Sequence, residues 1–270
     1  MEPKPMVRSL DEVLTARREA DGLDALDVPE GFAQGRATFG GLVVGACVRS
    51  LEARVAAPGR KLRSVSAQLL GAPRPGPALI HVRLLRESAT VTTLSADLEQ
   101  EGAVMTHVVG VFADDRPVPL AWNQLRPPPA PPWRDVEPMD TDTPFAPEFT
   151  RHFEFRPIVA VPFSGSTEDP LGYIRPRVPC ARRDGAYVAC LVDTWWLAAL
   201  CRFDGPRPAA TMTYAAELHV APGTLDPEAP LLHVGRALAS RDGYSVETRE
   251  LWTPDGQLVT TGSQVVVIVK

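Results

Sequence analysis

The chain has 270 residues, 44% hydrophobic and 23% charged, an ordinary globular balance that excludes disorder throughout and leaves room for one large domain or two modest ones. Its formal charge is −5, from 28 Lys and Arg against 33 Asp and Glu, so no net basic field exists to gather nucleic acid. No apolar run reaches the ~18 residues of a membrane span. Cys47, Cys180, Cys190 and Cys201 lack CxxC spacing, and the five histidines never fall at HxxxH spacing, so neither a disulfide framework nor a metal site is expected. The charged N-terminal stretch does not resemble a secretory signal, and a reduced, cytoplasmic protein follows as the expectation.

The first apolar segment opens at Gly40-Gly41, where Val44, Val48, Leu51 and Val55 recur at i, i+4, i+7 and i+11 before Pro58-Gly59. That spacing predicts a helix buried along one long face. Strand-forming runs follow, among them Ala78-Leu-Ile-His-Val-Arg-Leu-Leu-Arg86. Glu101-Gly102 then supplies an acidic-Gly pair suited to the positive-φ turn of a hairpin between strands of about ten residues. Proline then dominates, with 28 in all, densest in Leu125-Arg-Pro-Pro-Pro-Ala-Pro-Pro-Trp133 and continuing through Pro138, Pro144 and Pro147. Such a stretch favours extended polyproline backbone and joins no central strand or helix. Residues 125–148 therefore read as a connector between a unit at 1–124 and a unit at 149–270; a ligand for a proline-recognition domain is the competing reading.

The second unit repeats the first. Pro230-Leu-Leu-His-Val-Gly-Arg-Ala-Leu238 answers to Ala78–Arg86, which sets His233 over His81, and Asp255-Gly-Gln-Leu-Val-Thr260 answers to Glu101-Gly-Ala-Val-Met-Thr106. A duplicated strand-rich unit is implied. Its helix is expected at Asp193-Thr-Trp-Trp-Leu-Ala-Ala-Leu-Cys201, ahead of Gly205-Pro206, which places Asp193 at the helix start over Gly41. In the last strand Val265, Val267 and Val269 line one face, and Gln264, Val266 and Ile268 the other, so a sheet covered on both sides is expected. Each unit then reads as a long helix wrapped by an antiparallel sheet, with the two sheets paired edge to edge to hide their open edges.

Taken together these residues resemble the acyl-CoA thioesterase II family, whose members are double hotdog proteins. In the first unit the matching stretches are Phe39-Gly-Gly-Leu-Val-Val-Gly45, Leu84-Leu-Arg-Glu87 and Leu98-Glu-Gln-Glu-Gly102. In the second they are Phe153-Glu-Phe-Arg-Pro157, Tyr173-Ile-Arg175, Leu191-Val-Asp-Thr-Trp195, Ala210-Thr-Met212, His219 and Leu258-Val-Thr-Thr-Gly-Ser-Gln264. The resemblance implies an α+β double hotdog fold and hydrolysis of acyl-CoA thioesters to acid and CoA by an activated water. It implies no cofactor, no covalent intermediate, and a homodimer or larger assembly. The family's active-site trio falls on Asp193, Thr211 and Gln264. Two neighbours depart from the family pattern: Leu42 stands where members often carry Gln, and Thr213-Tyr214 where they often carry Asp-His.

Thioester hydrolysis needs a held water, an acceptor for its proton and donors for the developing oxyanion. Asp193 suits the acceptor, its ionised form favoured by a helix N-terminus and disfavoured by burial; Asp is also an ordinary N-cap. Thr211 and Gln264 would orient the water, while a plain strand threonine and a satisfied core amide are the simpler readings. Gly40 and Gly41 offer backbone N–H groups to a thioester carbonyl, or serve close packing alone. Arg175, Arg177, Arg182 and Arg183 are candidates to meet the phosphates of CoA, or a solvated loop. Two rivals remain. A hotdog hydratase or dehydratase would want a His five residues after the Asp, where Ala198 stands, and a non-catalytic acyl-thioester or lipid-binding protein would keep the tunnel without the reaction. The carrier, CoA or acyl carrier protein, stays open.

Overall fold

The computed structural model describes residues 6–143 and 146–269; Pro144 of the connector and Lys270 lie outside the described residues. The first unit runs α1 (Leu10–Val13), β1 (Arg17–Ala20), β2 (Leu23–Val28), the small hairpin β3 (Ala33–Gln34) and β4 (Ala37–Thr38), α2 (Gly40–Glu52), β5 (Lys61–Leu69), β6 (Gly76–Glu87), β7 (Val91–Gln100) and β8 (Ala103–Ala113). The second runs β9 (Phe153–Val159), β10 (Leu171–Pro176), α3 (Gly185–Thr194), β11 (Ala209–Leu218), β12 (Leu231–Arg241), β13 (Tyr244–Trp252) and β14 (Leu258–Ile268). Twelve strands form one antiparallel sheet in the order β1-β2-β6-β7-β8-β5-β11-β14-β13-β12-β10-β9. The order is palindromic about β5 and β11, which pair from Thr213 opposite Gln68 to Glu217 opposite Ser64. Each half-sheet wraps one helix, so the chain is an α+β double hotdog whose two open edges have been joined into a seam.

Helix α2 is buried on every side from Gly41 to Leu51, as expected of a helix enclosed by its sheet. It stops at Glu52, short of Val55, which packs against the core from the following turn. Helix α3 departs from the sequence expectation. It spans Gly185–Thr194, capped by Asp184, whose side chain accepts the Tyr187 N–H at 3.0 Å. Asp193 therefore lies in its last turn rather than its first. The run Trp195-Trp196-Leu197 leaves the helix because both indoles are drawn to other partners. Trp195 stacks on His233 and Trp196 on Phe155, and a 3-10 turn, Ala198–Arg202, follows.

The helices run antiparallel and nearly touch. A Cβ on Gly41 would fall 2.7 Å from the Cys190 carbonyl oxygen, and one on Gly45 3.1 Å from that of Ala186, so glycine is what permits the approach. The core between them is continuous across both units. Both acidic-Gly hairpin turns form, with positive φ at Gly102 and Gly256. The outer face of the sheet is more open than the last strand suggested: Val265 and Val267 are half-buried and Val269 is 52% exposed, because no second layer covers them. The alignment of His81 with His233 also fails by one register step. His81 faces outward beside Glu99, whereas His233 is fully buried against Trp195, and a slip of one residue exchanges the faces of a strand.

The proline-rich stretch lies against the second half-sheet instead of hanging free. Tyr173 donates its hydroxyl to the Pro131 carbonyl at 2.7 Å, Arg156 donates to the carbonyl of Val136, and Val136 joins a satellite core with Tyr173, Leu232, Val234 and Trp252. The guanidinium groups of Arg134, Arg156 and Arg175 surround the Trp133 ring. All four cysteines are free and buried.

At the head of α3 a second carboxylate is buried. Glu52 accepts the Gly185 N–H at 2.8 Å, while Arg49 donates to Asp184 at 3.1 Å and to the carbonyls of Leu10 and Asp11. Burial, with repulsion from Asp184, raises the Glu52 pKa to about 7 against the pull of the Gly185 and Ala186 N–H groups and Arg49. Folded Glu52 thus keeps a proton that the unfolded chain loses near 4.5. Its contribution to stability is complete below that value and is lost as pH rises through about 7. Glu52→Gln keeps an acceptor for Gly185 and removes the titration. Urea unfolding between about pH 5 and pH 8 is expected to show a declining stability in the wild type and a flatter profile in the variant.

Candidate active site

The antiparallel crossing sets the last turn of α3 beside the first turn of α2, and the Asp193 carboxylate is held between them. It is bound by the Gly41 N–H, and Oδ2 lies 3.0 Å from where a Gly40 Cβ would be. The sequence placed Asp193 at the start of its own helix; the structure puts it at that helix's C-terminal end and at the N-terminus of the other unit's helix. The two dipoles act in opposite senses on its charge. Burial dominates and raises its pKa, with Arg249, the Gln264 amide and the Gly41 N–H opposing and Glu247 adding to the rise. No side chain caps α2, since its N-cap is Phe39, so the amides there are free for the visiting carboxylate.

Gln264 on β14 donates Nε2 to Asp193 Oδ1 at 2.5 Å, and Thr211 on β11 donates its hydroxyl to Gln264 Oε1 at 3.4 Å. A β-bulge makes this geometry possible. Tyr214 pairs with Gln264 and Thr211 with Val266, with Met212 the extra residue between Thr211 and Thr213. In an unbroken strand Thr211 and Tyr214, three apart, would face opposite sides; the bulge turns both inward. Tyr214, one of the two departures from the family pattern, donates its hydroxyl to Ala189 of α3 at 2.8 Å, and Leu42, the other, is fully buried in the core.

Beneath the trio lies a charged pair that the sequence reading missed. Arg249 and Glu247 on β13 are almost wholly buried, and Arg249 donates to Glu247 Oε1 at 2.9 Å and 2.6 Å through two nitrogens. Arg249 also donates to the carbonyls of Val192 and Trp195, capping the end of α3, and its charge lies 3.7 Å from Asp193 Oδ1. Glu247 accepts the Ala198 N–H at 2.8 Å. The one signal in Tyr244-Ser-Val-Glu-Thr-Arg-Glu-Leu251 is that Glu247 and Arg249, two apart, share a strand face as an ion pair can, while alternation with Val246 and Thr248 points that face to water. Among the described residues the first unit has no counterpart at the equivalent positions. The ninth residue of α2, matching Asp193 in α3, is Val48, and the inner face of β7 and β8 presents Leu94, Ala96, Leu98, Val108 and Phe112.

A cavity of about 310 Å³ opens over Asp193, walled by Gly40, Thr38, Leu69, Thr106, Leu197 and Thr211. Gly40, Asp193 and Thr211 reach it directly, whereas Gln264 lies behind Asp193 and Gly41 is spent on the carboxylate and on helix packing. The four arginines proposed for phosphate stand apart from it. Arg175 pairs with Glu154 and Arg182 with Asp184, Arg183 donates to the Cys180 carbonyl, and Arg177 reaches Thr141. Among the described residues no cluster of His, Cys, Asp or Glu is arranged to hold a metal ion, and no helix is long and apolar enough to cross a membrane.

Known proteins match the chain in family and fold. Residues 28–113 match the acyl-CoA thioesterase N-terminal domain and residues 123–268 the acyl-CoA thioesterase C-terminal domain, so the chain belongs to the acyl-CoA thioesterase family. No curated protein sequence matches it. Among solved structures, a hot dog fold protein of unknown function from Alicyclobacillus acidocaldarius superposes with a TM-score of 0.88 at 20% identity, covering 98% of this chain and 99% of that one. A putative thioesterase II from Thermobifida fusca gives 0.81 at 22% identity, again over 98% and 99%. An acyl-CoA thioesterase II from Mycobacterium marinum gives 0.77 at 17%, over 96% and 98%. At such identities these structures speak for the fold.

Removing one member of a buried ion pair strands the other. Glu247→Ala would leave Arg249 without its partner and the Ala198 N–H without an acceptor, and is expected to lower the unfolding free energy by about 3–5 kcal/mol. Urea denaturation of the variant beside the wild type measures this.

Proposed function

We propose that the chain hydrolyses acyl-CoA thioesters, with Asp193 as the general base, Thr211 as a second anchor for the water and Gln264 as the residue that positions both. The observation that carries this reading is a buried carboxylate of raised pKa opening on a cavity from a helix-to-helix junction. A carboxylate perturbed upward is a stronger base than an exposed one, which suits it to take a proton from water.

In the proposed step, a water held by Asp193 Oδ2 and Thr211 Oγ1 attacks the thioester carbonyl carbon while its proton passes to Asp193. The oxyanion is met by the Gly40 N–H at the head of α2, the remaining free amide of the glycine pair. Collapse breaks the carbon–sulfur bond, and the proton on Asp193 goes to the departing thiolate, giving the acid and the free thiol. Gln264 acts through others: its Nε2 fixes Oδ1, leaving Oδ2 for the water, and its Oε1 sets the Thr211 hydroxyl so that the oxygen lone pairs are free to accept from the water.

Thiol release from acyl-CoAs tests the reading. Asp193→Asn is expected to lower kcat by at least about a hundredfold while leaving the fold intact; equal activity in both proteins would remove Asp193 from the mechanism. Release of no thiol from any thioester by the wild type would favour a binding protein instead. The pH profile gives an independent check. Because Asp193 must be ionised to act and burial raises its pKa, kcat/KM should fall on the acid side above the ordinary Asp value of about 3.9. Gln264→Met removes a donor that favours the charged form, so that limb should move to still higher pH.

A further inference from the structure

The cavity over Asp193 has an uneven wall. Val43, Leu69 and Leu197 give it apolar lining, but Thr38 and Thr106 also line it, 5% and 0% exposed, and the hydroxyl of neither has a hydrogen-bond partner among the described residues. Elsewhere in this protein buried threonines satisfy themselves. Thr260 donates to the Glu217 carbonyl at 2.8 Å and Thr194 to that of Cys190 at 3.0 Å. A valine would fill either position with the same shape and no desolvated hydroxyl, so two unpaired hydroxyls on residues that line one cavity are unfavourable unless a ligand meets them.

Their location assigns them to the acyl end of the substrate. Thr38 precedes Phe39-Gly40 at the head of α2, and Thr106 is paired across the sheet with Leu69, whose Cδ1 would lie 3.3 Å from a Gly40 Cβ. Both therefore sit close to Gly40 and Asp193. The exposed lip, formed by Gln34, Leu70, Gly71, Ala210 and Met212, is the side from which a bulky carrier must enter. The volume, about 310 Å³, is at the lower end of the roughly 300–1,000 Å³ of small-molecule sites. A long saturated chain does not suit a cavity that is both small and partly polar.

We propose that the acyl group this site accepts is short and carries a hydroxyl on its first carbons beyond the thioester carbonyl, recognised by Thr38 and Thr106. A hydroxyl both donates and accepts, so one such group satisfies two threonines that an alkyl chain would leave unpaired. The proposal rests on the thioesterase reading of Asp193, and it names the substrate class of that same site.

The test pairs hydrolysis with binding. Thiol release is measured for butanoyl-, 2-hydroxybutanoyl-, 3-hydroxybutanoyl- and dodecanoyl-CoA with the wild type, Thr38→Val, Thr106→Val and the double variant. The better hydroxyacyl substrate is expected to exceed butanoyl-CoA at least tenfold in kcat/KM, and dodecanoyl-CoA to be poorer still. In the double variant the hydroxyacyl advantage over butanoyl-CoA should shrink to within about threefold of unity. A wild type with no hydroxyacyl advantage, or one that prefers dodecanoyl-CoA, overturns the proposal. So does an equal loss on all substrates in the variants, since the hydroxyls would then be serving the reacting carbonyl. Calorimetric titration with S-butyl- and S-hydroxybutyl-CoA thioethers, which cannot be hydrolysed, separates the two claims. Tighter binding of a hydroxybutyl form without any thiol release would sink the hydrolase reading alone, and equal binding of the two forms would sink the substrate class.

Discussion

The close antiparallel contact of α2 and α3 is the constraint from which the site follows. Gly41 and Gly45 remove the side chains that would hold the helices apart, and at that separation the tail of one helix lies beside the head of the other. A carboxylate placed there leaves water, which disfavours its charge, yet meets an uncapped amide and the guanidinium of Arg249. The balance, with burial ahead, is what gives Asp193 its raised pKa. Neither helix alone contains this arrangement; it exists because two units were fused with their sheets in register.

The two halves share an architecture and divide the labour. The second carries Asp193, Thr211, Gln264 and the Arg249–Glu247 pair, and the first supplies the head of α2 together with Thr38, Leu69 and Thr106 of the cavity wall. Val48, Leu94 and Phe112 fill the interior of the first unit with apolar volume, so the chain holds one polar centre of this kind among its described residues, although it holds two helix-and-sheet units. The near-symmetric end of the helix pair, with Glu52 at the head of α3, shows the same device of a carboxylate on foreign amides, there held by the Gly185 N–H beside an Arg49–Asp184 pair.

Much of the fold was legible because periodicity and turn chemistry are local. Val44, Val48 and Leu51 marked α2, and Glu101-Gly102 and Asp255-Gly256 marked equivalent hairpins. The second helix was misplaced because Trp-Trp-Leu-Ala-Ala-Leu has helical composition, while the actual start, Asp184-Gly185, is a plainer signal; the indoles left the helix for Phe155 and His233, partners distant in sequence. The resemblance to a family brought Asp193, Thr211 and Gln264 to notice, but the chain alone gave no means to see that Gln264 sits behind the carboxylate or that Gly41 is already engaged. Glu247 and Arg249 passed unnoticed because charged residues in a strand are ordinarily taken to face water.

The bulge at Met212 gives strand β11 something like a reading frame. Thr211 and Tyr214 face the interior together only because one residue between them is left out of the ladder. Straightening the bulge without shortening the chain would restore strict alternation and turn the Thr211 hydroxyl toward solvent, whereas losing Met212 would leave Thr211 and Tyr214 two apart and still on one face. Strand length and bulge are therefore coupled, and neither can change alone. A relative with one residue fewer in this interval would keep the arrangement on a regular strand, while one of the same length without the bulge would lose it.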